Sequence, residues 1–373
     1  MAQWVTAWAM AHTGASLFAL RMGGRTANAC IRCPISGTMV RIALSNFYGS
    51  APVSILGAAV CVKDRVTSLT FDGAAGITVK PGESLRSDGA ALDIRGGDTV
   101  EVRLYFAEDQ ITDSGNALLI GRHSPKGDYS RSVPFVSEHS EVWIRQQRPF
   151  PLAEPVTILS AVDVYAENAH AVAILGDSNT FGGQYTKPLG DALAAHNIAL
   201  LNLGISGNRL LRDSGAPAFG GIFGKAARDR VEWDIFAQHG IRTVVLNVGG
   251  NDIFQPGTFA ADARELCTAE ELWQGTADLA IRCREKGYRV FGATLVPFSG
   301  AEGYTPEKQK IADAYNRSVR ESDLFDAVID FYALLGDPAH PNAYLPAYDS
   351  GDHIHFSAAA GSHAAAQTVS LFL

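Results

Sequence analysis

The chain has 373 residues, of which 47% are hydrophobic and 19% are charged. This composition is typical of a globular protein and argues against intrinsic disorder. The 31 Lys and Arg residues and 39 Asp and Glu residues give a net charge of −8 without a dense basic stripe, so neither nucleic acid nor an anionic membrane is an expected partner. No apolar run approaches the roughly 20 residues that a membrane span needs, so no transmembrane segment is expected.

The N-terminal segment MAQWVTAWAMAHTG is apolar but lacks a basic start. It is a poor secretory signal, and we interpret it as the start of the folded protein. The five cysteines are an odd and sparse set, which does not describe a disulfide framework. Cys30 and Cys33 have the spacing of a redox or zinc pair, but without a second such pair we interpret them as structural thiols. Together these features favour a cytoplasmic location. A secreted location stays open if a signal peptide precedes this sequence.

Residues 1–166 are interpreted as an all-β, sandwich-like accessory domain. Short alternating or apolar runs are separated by turns rich in Gly, Pro, Asp and Ser, which is typical of β-strands with one buried face. The predicted strands are MVRIALSNF, ILGAAVCVKD, SLTF, GITVK, TVEVRLYF and EVWIRQ. A segment with three prolines, RPFPLAEPV, follows them and is interpreted as a rigid passage near the end of this domain.

Residues 167–373 have a different pattern, in which apolar runs alternate with stretches of helical spacing. The predicted strands are AVAIL, IALLNLG, TVVLNVG, YRVFGATLV and AVID. The predicted helices are PLGDALAAH, FGKAARDRVEWDIFAQ, TAEELWQGTADLAIRCREKG, PEKQKIADAYNRSVRES and FSAAAGSHAAAQTVSLFL. This alternation predicts an α/β domain with a parallel sheet between two helical layers.

Polar clusters follow several of these strands. In an open parallel sheet, ligands bind beyond the carboxyl ends of the strands, so residues at those ends are expected to meet. The clusters are Gly176-Asp177-Ser178, Gly207-Asn208, Gly249-Gly250-Asn251-Asp252, and Asp349 with Asp352, His353 and His355 before the last helix. The sequence therefore predicts one site on one edge of the sheet.

The four clusters, in this order, resemble the conserved blocks of the SGNH hydrolases, also called GDSL esterases. The Ser, Gly, Asn and His of that family name correspond here to Ser178, Gly207, Asn251 and His355. One departure is Asn179, which stands where the family name has Leu. The resemblance covers the second half of the chain and implies a flavodoxin-like three-layer α/β/α fold. It also implies an oxyanion hole formed by the N–H groups of Ser178 and Gly207 and the side-chain amide of Asn251.

The residues are also consistent with nucleophilic catalysis on chemical grounds. A serine hydroxyl needs a base to take its proton, and that base needs a third group to orient it. His355 can be the base of Ser178, and Asp352 can accept from the other ring nitrogen of His355. A helix beginning after Ser178 would direct its N-terminal amides at the reacting oxygen. Glycine at 207 would allow the backbone to approach the substrate closely.

Several alternatives stay open at this point. Ser178 could be only a helix N-cap, and Asn251-Asp252 only a turn. His353 and His355 could be two ligands of a metal, although no third His or Cys lies nearby, so no metal is expected. Asp349 could replace Asp352, although it is six residues from His355. Two further residues, Arg209 and Arg212, either face the cleft or solvate a loop.

The expected function is that of a serine esterase which cleaves small acyl esters without a cofactor, with O-acetyl groups on a carbohydrate as one substrate class. The β-rich first domain resembles arrangements in carbohydrate-active esterases. The alternatives are a lysophospholipase or acyltransferase of the same superfamily, and a catalytically idle glycan-binding protein. An acyltransferase would share the acyl-enzyme and differ only in its second acceptor.

Overall fold

The computed structural model describes residues 1–14, 20–21, 23–115, 120–138, 154–155, 158–213 and 221–373. The chain divides into two compact units, Met1–Ala169 and His170–Leu373. The predicted strand EVWIRQ lies outside the described residues, as does most of RPFPLAEPV. Within the described ranges, none of the helices combines the length and apolar character that a membrane crossing needs.

The first unit is built from antiparallel strands. In chain order these are β1 (Gln3–Ala9), β2 (Thr13–Gly14), β3 (Leu20–Arg21), β4 (Arg25–Arg32), β5 (Gly37–Ser45), β6 (Val53–Val62), β7 (Arg65–Leu69), β8 (Ile77–Val79), β9 (Ser84–Arg86), β10 (Ala90–Ile94), β11 (Thr99–Phe106), β12 (Ile111–Thr112), β13 (Ser114–Gly115), β14 (Ile120–Lys126), β15 (Glu154–Pro155) and β16 (Leu159–Ala166). One sheet has the order β1-β16-β5-β10, with β9 also on β5. The other has the order β15-β14-β4-β11-β6-β7, with β8 also on β6. The all-β fold expected for this part of the chain is confirmed.

Each of the two main sheets carries fully buried aliphatic residues at alternate positions, such as Val40 and Ile42 in β5 and Val100 and Val102 in β11. This period of two is the sequence signature on which the strand predictions depended. The two predicted structural thiols differ in exposure, since Cys30 is exposed and Cys33 is buried. Burial raises the pKa of the Cys33 thiol to about 11, which keeps it protonated and unreactive near neutral pH.

The second unit alternates strands and helices. Its strands are β17 (His170–Gly176), β18 (Ile198–Gly204), β19 (Ile241–Asn247), β20 (Arg289–Ala293), β21 (Ala327–Ile329), β22 (Gly336–Asp337) and β23 (His340–Tyr344). Its helices are α1 (Ser178–Phe181), α2 (Thr186–Ala194), α3 (Ala227–Val231), α4 (Gly250–Phe254), α5 (Ala269–Glu285), α6 (Pro306–Glu321), α7 (Phe331–Leu335) and α8 (Ala358–Thr368). A π-helical turn at Glu232–Phe236 continues α3, and 3₁₀ turns occur at Ala263–Glu265 and Val369–Phe372.

The sheet of this unit is parallel and has the order β18-β17-β19-β20-β21. In chain order this is 2-1-3-4-5, the flavodoxin-like order, and it confirms the predicted fold. The order places β17 between β18 and β19, so the chain reverses its direction of winding there. Ligands bind in the crevice at such a switch point.

Helices cover both faces of the sheet. On one face α2 packs against β18 and α8, and α7 also contacts α8. The core there joins Val172 and Ile174 of β17 to Leu189 of α2 and Ala360 of α8, all fully buried. On the other face α5 packs against β19, β20 and α6. The unit therefore has three layers, and the carboxyl ends of β17 and β19 are held in place by cores on both sides.

The longer helices begin where the sequence supplies a cap. Thr268 caps α5, and Glu271 completes a capping box with it. Thr305 caps α6, with Pro306 in the first turn, and Ser357 caps α8. Such side chains satisfy backbone N–H groups that have no partner within the helix. The last of these caps also fixes the end of the loop that carries His355.

Candidate active site

Ser178 lies where β17, which is buried from Ala171 onwards, ends and α1 begins. Asp177 caps α1, and its Oδ1 accepts a hydrogen bond of 3.0 Å from the N–H of Asn179. The turn needs a glycine at 176, because a Cβ there would lie 1.9 Å from Oγ1 of Thr180. The helix after Ser178 has only four residues. Its dipole is therefore small, and the expected stabilisation of negative charge is reduced to that from the local N–H groups.

Ser178, His355 and Asp352 form one continuous chain of hydrogen bonds. Oγ of Ser178 is 2.7 Å from Nε2 of His355, across 177 positions of sequence. Nδ1 of His355 is 2.6 Å from Oδ2 of Asp352. An ionised carboxylate can only accept, so Nδ1 of His355 carries the proton and Nε2 is left to accept from the serine hydroxyl.

Asp352 is held in its turn by backbone groups as well as by His355. Its Oδ1 accepts from the N–H groups of Ile354 and His355, at 3.0 and 2.9 Å. Burial raises the pKa of Asp352, but the hydrogen bonds from the ring of His355 and from these two N–H groups outweigh it. The net effect holds the pKa of that carboxyl well below its usual range. Asp352 therefore stays ionised at every pH at which the protein is expected to work.

A second Asp–His pair lies beside the first. Nδ1 of His353 is 2.5 Å from Oδ2 of Asp349, and Oδ1 of Asp349 accepts from the N–H groups of Gly351 and His353. Asp349 therefore binds His353 and not His355. The two carboxylates have parallel surroundings, which makes Asp349 a natural control for Asp352.

Gly207 lies in the loop after β18 with a φ of +75°, a conformation that favours glycine. A Cβ at this position would lie 2.6 Å from the ring of Phe223, so a side chain is excluded on steric grounds as well. The carbonyl of Gly207 accepts a 2.7 Å hydrogen bond from Nε2 of Gln255, which fixes the peptide next to the glycine.

Asn251 lies in the first turn of α4, directly after β19. Its Nδ2 donates a 3.0 Å hydrogen bond to the carbonyl of Asn208. A side-chain amide has two hydrogens, so one remains for another acceptor. Its neighbour Asp252 is fully buried and accepts from the N–H groups of Leu210 and Leu211, at 2.6 and 3.0 Å. These hydrogen bonds join the loop after β18 to the first turn of α4.

The family model described as GDSL-like Lipase/Acylhydrolase family matches residues 174–361, slightly more than half of the chain and all four blocks. The chain belongs to the GDSL-like lipase/acylhydrolase family. None of the curated proteins compared with the chain matches it.

Several solved structures are similar to the chain, all at low sequence identity. The acetyl xylan esterase AlAXEase has 16% identity and a TM-score of 0.42 over 54% of this chain and 100% of that chain. Axe2, an acetylxylan esterase from Geobacillus stearothermophilus, has 19% identity and a TM-score of 0.42 over 55% of this chain and 96% of that chain. The M. smegmatis aryl esterase has 14% identity and a TM-score of 0.42 over 55% of this chain and 98% of that chain.

The candidate site includes a buried arginine that the sequence patterns did not indicate. Arg230 of α3 is 0% exposed, and its guanidinium donates to the carbonyls of Gly176 and Leu203, at 2.8 and 2.9 Å. It also donates to Oδ1 of Asn208 and to Asp234, at 2.9 and 2.6 Å. Arg230 thus joins the ends of β17 and β18. The available signal was its spacing of four residues from Asp234, which is typical of a helical ion pair.

Two other arginines, Arg209 and Arg212, were expected either to face the cleft or to solvate a loop. Arg209 is 1% exposed, and its Nη1 lies 2.6 Å from Oε2 of Glu265. Its Nε lies 3.8 Å from Oδ1 of Asp252. Arg209 therefore neither faces open solvent nor solvates a loop, but anchors the second block to the third. Arg212 is exposed.

The metal alternative for His353 and His355 receives no support from the part of the chain that the structure describes. There, no group of three or more His, Cys, Asp and Glu side chains is arranged to hold a metal ion. The two rings bind different carboxylates, Asp349 and Asp352, through Nδ1. His353 has an exposed side chain and a positive φ of +62°, in the turn that brings His355 to Ser178.

Proposed function

We propose that this GDSL-like acylhydrolase is a serine esterase that cleaves small acyl esters through an acyl-enzyme. The observation that carries the proposal is the hydrogen-bond chain from Oγ of Ser178 through the ring of His355 to Asp352, with links of 2.7 and 2.6 Å. These lengths are within the range for a nucleophile, its base and an orienting acid. We assign no metal or cofactor to the reaction.

In the first step, Oγ of Ser178 attacks the ester carbonyl carbon while its proton passes to Nε2 of His355. The imidazolium that forms is stabilised by Asp352, which stays ionised. The same proton then passes to the leaving alcohol oxygen as the C–O bond breaks, and an acyl-serine remains. In the second step, His355 takes a proton from water as the water oxygen attacks the acyl carbon. The bond between that carbon and Oγ of Ser178 then breaks, the proton returns to Oγ, and the carboxylic acid leaves.

Negative charge develops on the carbonyl oxygen in both steps. We assign its stabilisation to the N–H groups of Ser178 and Gly207 and to the free hydrogen of the Asn251 amide. Positions at the ends of β17, β18 and β19 support this assignment, as does the hydrogen bond between Asn251 and Asn208 beside Gly207. Donors held rigid in this way stabilise the transition state without reorganisation.

The substrate class proposed is a small, water-soluble ester, with O-acetyl groups on a carbohydrate as its leading member. An enzyme that works on lipid aggregates needs a broad apolar surface. Among the described residues of the second unit, the exposed large apolar side chains are Phe259, Ile281 and Leu373, from three separate stretches of the chain. This sparse exposure favours a soluble ester over a lipid.

The proposal is tested with the full chain and Ser178→Ala. Hydrolysis is measured on p-nitrophenyl esters from acetate to long chains and on acetylated xylan, and the serine is labelled with a fluorophosphonate. Wild type is expected to hydrolyse the acetate ester fastest and to be labelled. Ser178→Ala is expected to lose both hydrolysis and labelling and to retain the melting temperature of wild type. Ser318→Ala, in α6, is the matched control and is expected to retain both hydrolysis and labelling. Labelling that persists in Ser178→Ala would overturn the serine assignment, and a preference for long-chain esters would overturn the substrate class.

A further inference from the structure

The side chain of Asn179 links the nucleophile's helix to the loop of the base. Asn179 directly follows Ser178 in α1 and is 8% exposed. Its Nδ2 donates to the carbonyl of Ile354 at 3.3 Å, and its Oδ1 accepts from the N–H of Phe356 at 3.4 Å. One amide therefore binds the backbone on both sides of His355.

These two bonds have a specific geometric consequence. The carbonyl of Ile354 and the N–H of Phe356 belong to the two peptide groups that flank the Cα of His355, so holding both fixes the position of that Cα. The hydroxyl of Tyr344 also donates to the carbonyl of Ile354, at 2.9 Å. The bonds to Asp352, by contrast, lie within the loop itself. They orient the ring within the loop but do not set how far the loop lies from Ser178.

We propose that Asn179 is a positioning residue, which holds the loop of His355 at hydrogen-bonding distance from Oγ of Ser178. The inference rests on the proposed function, because it assigns Ser178 and His355 as nucleophile and base. Both bonds lie near the upper limit of hydrogen-bond length, so each is weak alone, and the effect comes from their joint action. A misplacement of about 1 Å between reacting groups can cost on the order of 100-fold in rate.

A purely local role for Asn179 makes a different prediction. The N–H of Asn179 donates to Asp177 in the cap of α1, but that bond uses the backbone and survives any substitution except proline. If the side chain served only to stabilise the protein, its loss would lower the melting temperature and leave turnover per folded molecule unchanged. The split between kcat and stability therefore separates the two roles.

The experiment compares two substitutions. Asn179→Leu has nearly the same shape and removes both hydrogen bonds. Asn179→Asp retains the acceptor for Phe356 but places a second acceptor against the carbonyl of Ile354. For each, kcat and KM on p-nitrophenyl acetate, the rate of fluorophosphonate labelling and the melting temperature are measured, with kcat expressed per titrated active serine. We expect kcat and the labelling rate to fall together, by about 10- to 100-fold, with KM within about threefold.

Thr180→Val is the matched control. Thr180 is the next residue of α1, is 0% exposed, and accepts a 3.0 Å hydrogen bond from Asn247 through Oγ1. Its substitution disturbs the same helix by removing a buried bond that does not reach the loop of His355. We expect a lower melting temperature and a kcat within about threefold of wild type.

Two outcomes overturn the inference. One is a kcat within threefold of wild type in either Asn179 variant, and the other is an equal loss of kcat in Thr180→Val. The two substitutions at 179 differ in polarity, so a folding failure of one leaves the other as the test. Failure of the proposed function is a separate result, since it is seen as hydrolysis or labelling that persists in Ser178→Ala.

Discussion

Substitution of Asp352 by asparagine is expected to disable the base without removing it. Oδ1 of Asp352 accepts from the N–H groups of Ile354 and His355, so an asparagine would place its own Oδ1 there. Its Nδ2 would then face Nδ1 of His355, which must become an acceptor. The ring proton moves to Nε2, and His355 can no longer take the proton of Ser178.

The expected loss of kcat can be derived from the free-energy cost of the other amide orientation of the asparagine. If the asparagine flips its amide, the correct ring tautomer returns, but two backbone N–H groups lose their acceptor. Each such loss costs about 1–3 kcal/mol, or about 2–6 kcal/mol for the two. At about 1.4 kcal/mol per tenfold change in rate, this corresponds to roughly 30-fold to roughly 20,000-fold in kcat. The side chain of Asp352 is 51% exposed, so water can solvate the freed groups, and we expect the lower half of this range.

The assay is steady-state hydrolysis of p-nitrophenyl acetate, with Asp349→Asn as the control. Asp349 holds His353 through the same kind of carboxylate contact and also accepts two backbone N–H bonds. The two substitutions therefore change the same kind of contact in the same loop. We expect Asp349→Asn to keep kcat within about threefold. A loss below tenfold in Asp352→Asn, or the larger loss in Asp349→Asn, would refute the reasoning.

Three further predictions concern the surroundings of the serine. Asn251→Ala should lower kcat by roughly 100- to 1,000-fold with little change in KM, because an oxyanion donor acts mainly in the transition state. Burial raises the pKa of Asp177 to about 6, so between about pH 4 and 6 the folded protein holds a proton that the unfolded chain has released. The free energy of unfolding should therefore fall as the pH rises from about 4 to 6. This fall should be smaller in Asp177→Asn. Arg230→Met should destabilise the protein by about 3–5 kcal/mol by leaving Asp234 buried and unpaired, and Arg230→Met/Asp234→Leu should recover part of this loss.

Each of these three has an outcome that contradicts it. The prediction for Asn251→Ala is contradicted if kcat stays within threefold of wild type while the melting temperature of the same preparation falls. The prediction for Asp177→Asn is contradicted if chemical denaturation between pH 4 and 8 gives its free energy of unfolding the same pH dependence as that of wild type. The arginine prediction fails if the double variant is no more stable than Arg230→Met.

The sequence predicted the parallel sheet well because its strands are buried on both sides and lie between capped helices. The run IALLNLG corresponds to β18 at both ends, and TAEELWQGTADLAIRCREKG contains α5 with its cap. Boundaries were less accurate where backbone groups bond outside the pattern. YRVFGATLV was predicted as one strand, but β20 ends at Ala293, and two residues later the N–H of Leu295 bonds to the side chain of Asn316 in α6.

The first unit was harder to predict strand by strand. The sequence patterns did not indicate β4, RTANACIR, which is a central strand paired with both β11 and β14. Its Ala and Asn residues have low strand propensity, so its conformation depends on the neighbouring strands. β16 was missed for a similar reason: it lies between β1 and β5 and contains a buried aspartate, Asp163, whose charge is paired with Arg41 and Arg86.

The candidate site shows the same division between local signals and contacts made by the fold. Ser178, Asn251 and His355 could be predicted because each lies in a short block whose residue types have a chemical meaning. Arg230 has no such block around it, and Asn179 ends a block in which its own residue type has no chemical meaning. Arg230 lies in a stretch that reads as an ordinary charged helix, and its partners at Gly176 and Leu203 are backbone carbonyls, which no side-chain pattern can indicate.

Asn179 shows this difference most clearly, because its position after Ser178 is evident from the sequence whereas its contacts are not. After Asp177 and Ser178 it is typical of a turn, and its difference from the family name does not indicate a role. Its partners, Ile354 and Phe356, are more than 170 positions away and are again backbone groups. A residue that recognises backbone leaves no complementary side chain elsewhere in the sequence. The groups that hold a site together are therefore less visible in a single sequence than the groups that react, and the three-dimensional arrangement is needed to find them.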